Sequence, residues 1–333
     1  MASDSFDQRE TKRQALLKSC WWPGLEDGMW RGRRYSHILP ESHSIENLHG
    51  GIRDGVRAYT DTNGIELHSD FANLKSSQAC CLNFLFALCR NLDAATTALR
   101  PLLPGATSVD WIEFEYTGPH GDHATKWLGE PPGGKRGQNR TSADAAIWWR
   151  DGDDRRRLTL VEWKYTERQF GTCGGFASDG NRHKDRCRHR ADGASAEWRC
   201  YLTQGDSERT KRRYWDRLGD AGITLTPYEG DMCPFSGPFY QLMRLQLLAA
   251  YCAQRDGETR ADVVAVHFRG DTAIEQPPGE LKCLGSTVTE AWQRMLQRPD
   301  DFRVCLAEDL AAAIRGSEAY CSLAEYLGKR YGV

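Results

Sequence analysis

The chain has 333 residues, enough for one large domain or two modest ones. It is 40% hydrophobic and 27% charged with a net charge of −2, which fits a folded soluble protein and singles out no partner by overall charge. No apolar run approaches the ~20 residues that span a bilayer. The polar opening MASDSFDQRETKRQ lacks the apolar stretch of a signal peptide, so a cytoplasmic protein with no membrane association is expected.

In chain order, residues 1–70 are rich in Trp, Gly and His and weakly periodic. They read as a segment packed on the main body, with Trp21, Trp22, Trp30 and Tyr35 folding back onto it. SSQACCLNFLFALCRNL, 76–92, predicts a helix capped by Ser76 or Ser77. A second helix follows near 93–100 and ends at Pro101 and Pro104. SVDWIEFEYTG, 108–118, alternates like a strand, and a Gly- and Pro-rich loop runs from 118 to about 138. Two strands flank the turn DGDD, 151–154. A charged insertion occupies about 168–236, a strong helix 238–255 and a strand 261–268. A helix near 287–297, a short strand near 302–306 and helices near 307–315 and 316–330 complete the chain. The order predicts an α/β fold with a mixed central sheet flanked by helices, a core over 71–270, and 271–333 as a C-terminal helical extension.

The cysteines give little direction. Cys80 and Cys81 are adjacent, and Cys89, Cys252, Cys305 and Cys321 sit in apolar patterns, which reads as reduced core thiols. Cys173, Cys187, His189, Cys200 and Cys233 contain no close CxxC pair, and this weighs against zinc.

The two strands around the 151–154 turn carry the chemistry. If the turn centres on Asp153, Asp144 lies opposite Glu162, and opposed residues of an antiparallel pair share a face about 5 Å apart. Lys164, two residues beyond Glu162, joins them. Ala145, Ile147, Val161 and Trp163 take the other face, and a one-residue slip would destroy the arrangement. Two opposed carboxylates repel unless a cation lies between them. Few, oxygen-only ligands suit Mg2+, with Mn2+ as a substitute. Such an ion activates water for attack on a phosphodiester, and a lysine adds positive charge where negative charge develops. Set against this is an ordinary surface salt bridge of Lys164 with a carboxylate, which contributes little.

SADAAI followed by LTLVEWKYTE resembles the PD-(D/E)XK nuclease superfamily. With HILP (37–40), LKSSQACCLNFLFAL (74–88), FEY (114–116) and FYQLMR (239–244), the set resembles a branch of restriction endonucleases over about residues 35–270. Ala143 stands where the superfamily name has proline. The resemblance implies a restriction-endonuclease-like core, with Asp144 and Glu162 as metal ligands and Lys164 as the catalytic lysine. Gln78 stands where the first helix of this fold often supplies an acidic ligand, and it equally suits a local hydrogen bond. Glu115 is a candidate further ligand or base, although alternation places it on one face with Glu113 and Trp111. Gln241 and Arg244 stand out as polar positions on a buried helix, one beside the site and the other on substrate, against a core glutamine and a snorkelling arginine.

Phosphate contacts are expected from Arg182, Lys184, Arg186, Arg188 and Arg190, which alternate in RHKDRCRHR and line one side of an extended segment. Lys211, Arg212 and Arg213 are further candidates. His37, His68 and His267 are read as structural. Together these features predict a Mg2+-dependent DNA endonuclease in restriction or defence, with a homodimer as the arrangement that would cut both strands. The alternatives are a nuclease of ends, single strands or RNA, and a catalytically inactive nucleic-acid-binding protein.

Overall fold

The computed structural model describes residues 4–119, 123–131, 133–137, 139–188, 200, 202, 211–257 and 259–333. Helix α1, Phe6–Trp21, starts at a capping box: the Ser5 hydroxyl accepts from the Gln8 N–H and the Gln8 side chain from the Ser5 N–H. Its buried stripe is polar, comprising Glu10, Gln14 and Lys18. Gln14 donates to the Tyr165 hydroxyl at 2.8 Å and to the Arg330 carbonyl at 3.1 Å. A helix docked through polar groups shows no hydrophobic period, which explains why 1–70 reads as irregular.

A hairpin follows, β1 Gly28–Trp30 and β2 Arg33–Tyr35, closed by Arg31 and Gly32, both at positive φ. Trp21 and Trp30 are 36% and 39% exposed beside the more exposed Met29, so only part of the expected tryptophan set folds inward. Next come α2, Arg53–Thr62, and α3, Ser77–Leu85. Ser76 caps α3 by accepting from the Ala79 N–H. The expected continuous helix breaks at Phe86 into a 3-10 turn, Phe86–Arg90, before α4, Leu92–Ala98.

The central sheet starts with β3, Ser108–Tyr116. Helix α5, His123–Leu128, lies in the region read as loop, and β4, Ala143–Arg150, and β5, Arg156–Trp163, form the hairpin. Among its described residues the insertion holds two single-turn α-helices, α6 Gly174–Ala177 and α7 Asp185–Arg188. Then come α8, Phe239–Asp256, β6, Arg260–His267, α9, Val288–Arg294, β7, Phe302–Leu306, α10, Ala307–Arg315, and α11, Cys321–Tyr331.

The five strands lie in the order β3-β4-β5-β6-β7. The first two pairings are antiparallel and the last two parallel, so the sheet is mixed, as expected. Both faces are covered. Leu158, Leu160, Ala146 and Val263 pack with residues of α8 and α9, while Ala145, Ile147, Val161, Trp163 and Val264 pack with residues of α3, α4, α10 and α11. Strands buried on both faces read as near-continuous apolar runs, which LTLV and DVVAV show. The expected helical extension is a misreading. β7 pairs with β6 within the sheet, and α10 and α11 close one core, so 271–333 is integral to the fold.

Candidate active site

The β4–β5 register is the one that turn counting predicts. Ala145 faces Val161 and Ile147 faces Thr159, so Asp144 comes beside Glu162 one step further along. The Asp144 carboxylate accepts the Trp163 backbone N–H at 2.6 Å, tying the end of β4 to β5. The Lys164 ammonium lies 2.9 Å from Glu162 Oε1. Glu162 and Lys164 are both buried, 4% and 8% exposed, so this is no solvent-screened surface pair.

Side-chain alternation fails where the carboxylates sit. Phe114 and Tyr116, two apart on β3, pack in opposite cores, as do Ala143 and Ala145 on β4. Between them Glu115 adopts φ +51°, a left-handed conformation costly for a residue with a side chain. The turn of the backbone separates the two β3 glutamates that alternation had placed together. Glu113 accepts from Trp111 Nε1 at 3.0 Å, while Glu115 accepts from Gln78 Nε2 at 2.6 Å. Gln78 in turn accepts the His68 N–H at 2.9 Å. A pocket of about 10 Å3 between α3 and the sheet is lined by Gln78, Cys81, Glu115 and Asp144. That volume is at the lower limit for one water.

The charges repel one another. Burial, then Glu162 and Glu115, push the Asp144 carboxyl well above its ordinary range against the pull of Lys164. Burial raises Glu115 too. Burial opposes the charge on Lys164, but Glu162, Glu167 and Asp144 outweigh it and hold the ammonium above its usual value.

Gln241 on α8 completes the support. Its Nε2 donates to Glu162 Oε1 at 2.6 Å, and its Oε1 accepts the Gly171 N–H at 2.6 Å. Gly171 permits this approach, because a Cβ there would stand 3.2 Å from Gln241 Oε1. The structure thus brings Asp144, Glu162, Lys164 and Gln241 together, with the Gln78–Glu115 pair alongside.

A model of the family described as "Restriction Endonuclease associating with ARP" matches residues 13–332. The chain belongs to this family. Comparison with curated proteins and with solved structures gave no match. Membership in this restriction endonuclease family indicates a nuclease and a DNA substrate, and the match spans the mixed sheet with its flanking helices.

The family fold gives Arg244 a different place from the one expected. Its guanidinium is buried, donates to Thr141 Oγ1 at 2.9 Å and to the Gly137 carbonyl at 3.1 Å, and lies 3.5 Å from Glu130. Arg244 therefore anchors the chain leading into β4 instead of reaching outward as a substrate arginine. The basic run is also not extended. Residues 182–188 form a turn and then α7, so alternation does not line its charges up. Arg182 and Arg186 are exposed, Lys184 lies 3.6 Å from Asp179, and Arg188 lies 3.7 Å from Asp185. Arg190 and His189 fall outside the described residues.

Sequence reasoning missed Glu167, which accepts the Tyr165 and Thr166 N–H groups and favours the Lys164 charge. Its place three residues after Lys164 was the available signal. Among the described residues no three His, Cys, Asp or Glu side chains stand in metal-holding geometry. The donor set still suits a hard cation, because carboxylates crowded enough to raise Asp144 are relieved by a charge between them. No helix of the described residues is long and apolar enough to cross a membrane.

Proposed function

We propose that this nuclease is a Mg2+-dependent endonuclease that hydrolyses DNA phosphodiester bonds in cytoplasmic defence against foreign DNA. The observation that carries the reading is Asp144 brought beside Glu162 across β4 and β5, with the Lys164 ammonium 2.9 Å from Glu162. Mg2+, or Mn2+ in its place, would be held by Asp144 and Glu162 and would supply Lewis-acid stabilisation of phosphate charge and acidify the attacking water.

The chain's own residues do the rest. The Trp163 N–H fixes the Asp144 carboxylate, and the Gln241 amide fixes that of Glu162. Lys164 stays cationic and places a preorganised positive charge where the phosphate becomes more negative. Gln78 and Glu115 hold the α3 side of the pocket. Arg182, Lys184, Arg186 and Arg188 lie on the insertion that follows the catalytic strand and contact the DNA backbone. Cutting both strands calls for two such sites, which a homodimer provides.

The test uses purified protein and supercoiled plasmid with Mg2+, Mn2+ or EDTA. Nicking or linearisation is expected with either metal, none with EDTA, and none from Lys164→Ala or Asp144→Asn, both of which still shift DNA in a gel. Wild-type protein that binds DNA but cleaves with neither metal would leave a retired site, and the proposal would fall.

A further inference from the structure

Four cysteines of the insertion lie far apart in sequence and are brought near one another in the fold. Cys173 precedes α6, Cys187 lies in α7, and Cys233 precedes α8. The Cys233 N–H donates to the Cys187 carbonyl at 2.6 Å. The Cys173 N–H donates to the Ser236 carbonyl at 3.2 Å, and the Ser236 N–H to the Cys233 carbonyl at 3.0 Å. Three separate stretches are thus joined at or next to their cysteines. The stretch of Cys200 reaches the same place, since Leu202 lies where a Cβ on Gly175 would meet it at 3.1 Å. Cys173, Cys187 and Cys233 are 9%, 7% and 7% exposed, and Cys200 is half-buried.

We propose that Cys173, Cys187, Cys200 and Cys233 form a structural zinc site of four thiolates that pins the insertion to the nuclease core. Several features favour thiolates here. The Gly175 and Phe176 N–H groups are hydrogen-bonded to the Cys173 sulfur and the Phe235 N–H to that of Cys233, and Arg244 lies close enough to favour the Cys173 anion. Burial, then Cys200 and Cys173, push Cys187 up to about 11, and burial with all three neighbours raises Cys233. Zinc binding replaces four S–H protons with one Zn2+ and releases the protons to solvent. As placed, no three of these side chains stand in metal-holding geometry, so binding the ion requires the four sulfurs to close together. Wide spacing hides such a site from sequence, because no CxxC pair announces it.

The site bears on the active site through one short link. Cys173 is two residues from Gly171, whose N–H holds Gln241 and so Glu162. A cleft of about 390 Å3 beside them is walled by Gly171, Gly174, Gly175, Leu202, Gln241 and Arg244. Zinc fixes the wall of that cleft that the insertion contributes.

The full-length protein is produced with zinc in the medium, passed over chelating resin, and assayed for metal by mass spectrometry. One tightly bound zinc per chain is expected in the wild type, in Cys305→Ser and in Asp144→Asn, and less than a tenth of that in Cys187→Ser/Cys233→Ser. Because the double variant can misfold, the wild type is also titrated with an organomercurial, which should release zinc in step with thiol modification. Co2+ exchanged into the wild type should show thiolate charge-transfer and tetrahedral d–d bands. Metal-free wild type, whether its thiols are free or paired as disulfides, overturns the proposal. So does zinc that persists in the double variant or leaves with Asp144→Asn.

Discussion

Replacing Arg244 with methionine separates two roles for this arginine. Its guanidinium donates to Thr141 and Gly137 and pairs with Glu130, and the two side chains are 7% and 1% exposed. Removing one partner of a buried pair costs about 3–5 kcal/mol, because the other charge is left uncompensated. Glu130 keeps the Thr141 N–H at 2.8 Å and the Tyr214 hydroxyl at 2.8 Å, so the lower end, about 3 kcal/mol, applies to Arg244→Met. Adding Glu130→Gln removes the stranded charge while keeping an acceptor, and about 1–2 kcal/mol should return. Urea unfolding of the wild type, the single variant and the double variant reads this from midpoints at constant slope. Unchanged stability in Arg244→Met, together with a salt dependence of DNA binding shallower by about one counterion, would place the arginine on phosphate and refute the anchoring argument.

Three further outcomes follow from the geometry. Gln241→Leu removes a hydrogen bond to a charged carboxylate, about 1.5–3 kcal/mol, and should lower kcat roughly 10- to 100-fold with DNA affinity unchanged; an equal loss in affinity would argue against a positioning role. Glu115→Gly should be more stable than Glu115→Ala by about 1 kcal/mol, the reverse of the usual order in a strand, because residue 115 sits at φ +51°; thermal unfolding of the pair decides it. Burial lifts the Asp271 carboxyl from 3.8 to about 6, so the stability that its proton supplies is complete below pH 3.8 and lost as pH rises through about 6. Asp271→Asn should therefore gain most in melting temperature over wild type above pH 6 and little at pH 4, and a gain independent of pH would contradict the assignment.

The β4–β5 hairpin was legible because everything that fixes it is local. A turn at 151–154, alternation on each side and the Asp, Glu and Lys positions define one register, which the Ala145–Val161 pairing matches. What stayed hidden depends on tertiary contacts. Helix α1 buries Glu10, Gln14 and Lys18, and their partners Tyr165, Arg330 and Asp27 are scattered along the chain. The turned backbone at Glu115 leaves no trace in the IEFEY alternation of residues 112–116, since the residue type is the same on either face. Arg244 stood out correctly as a polar group on a buried helix, but only the fold reveals that Glu130 awaits it. The role of 271–333 was misjudged because a five-residue strand such as β7 is a weak signal beside the helices around it.

The long crossover between β5 and β6 has a kinetic consequence. β4 and β5 meet through a five-residue connection, 151–155, whereas β6 must return to β5 across roughly a hundred residues, a closure costing on the order of 4 kcal/mol in chain entropy. Asp144, Glu162 and Lys164 can therefore come together early, within a hairpin whose pairing is local in sequence. Gln241 arrives only when α8 docks and the crossover closes. On a ribosome, the Asp144 and Glu162 carboxylates would be in register before Gln241, which holds Glu162, has joined the fold, so completion of this cluster waits on the slowest pairing in the sheet.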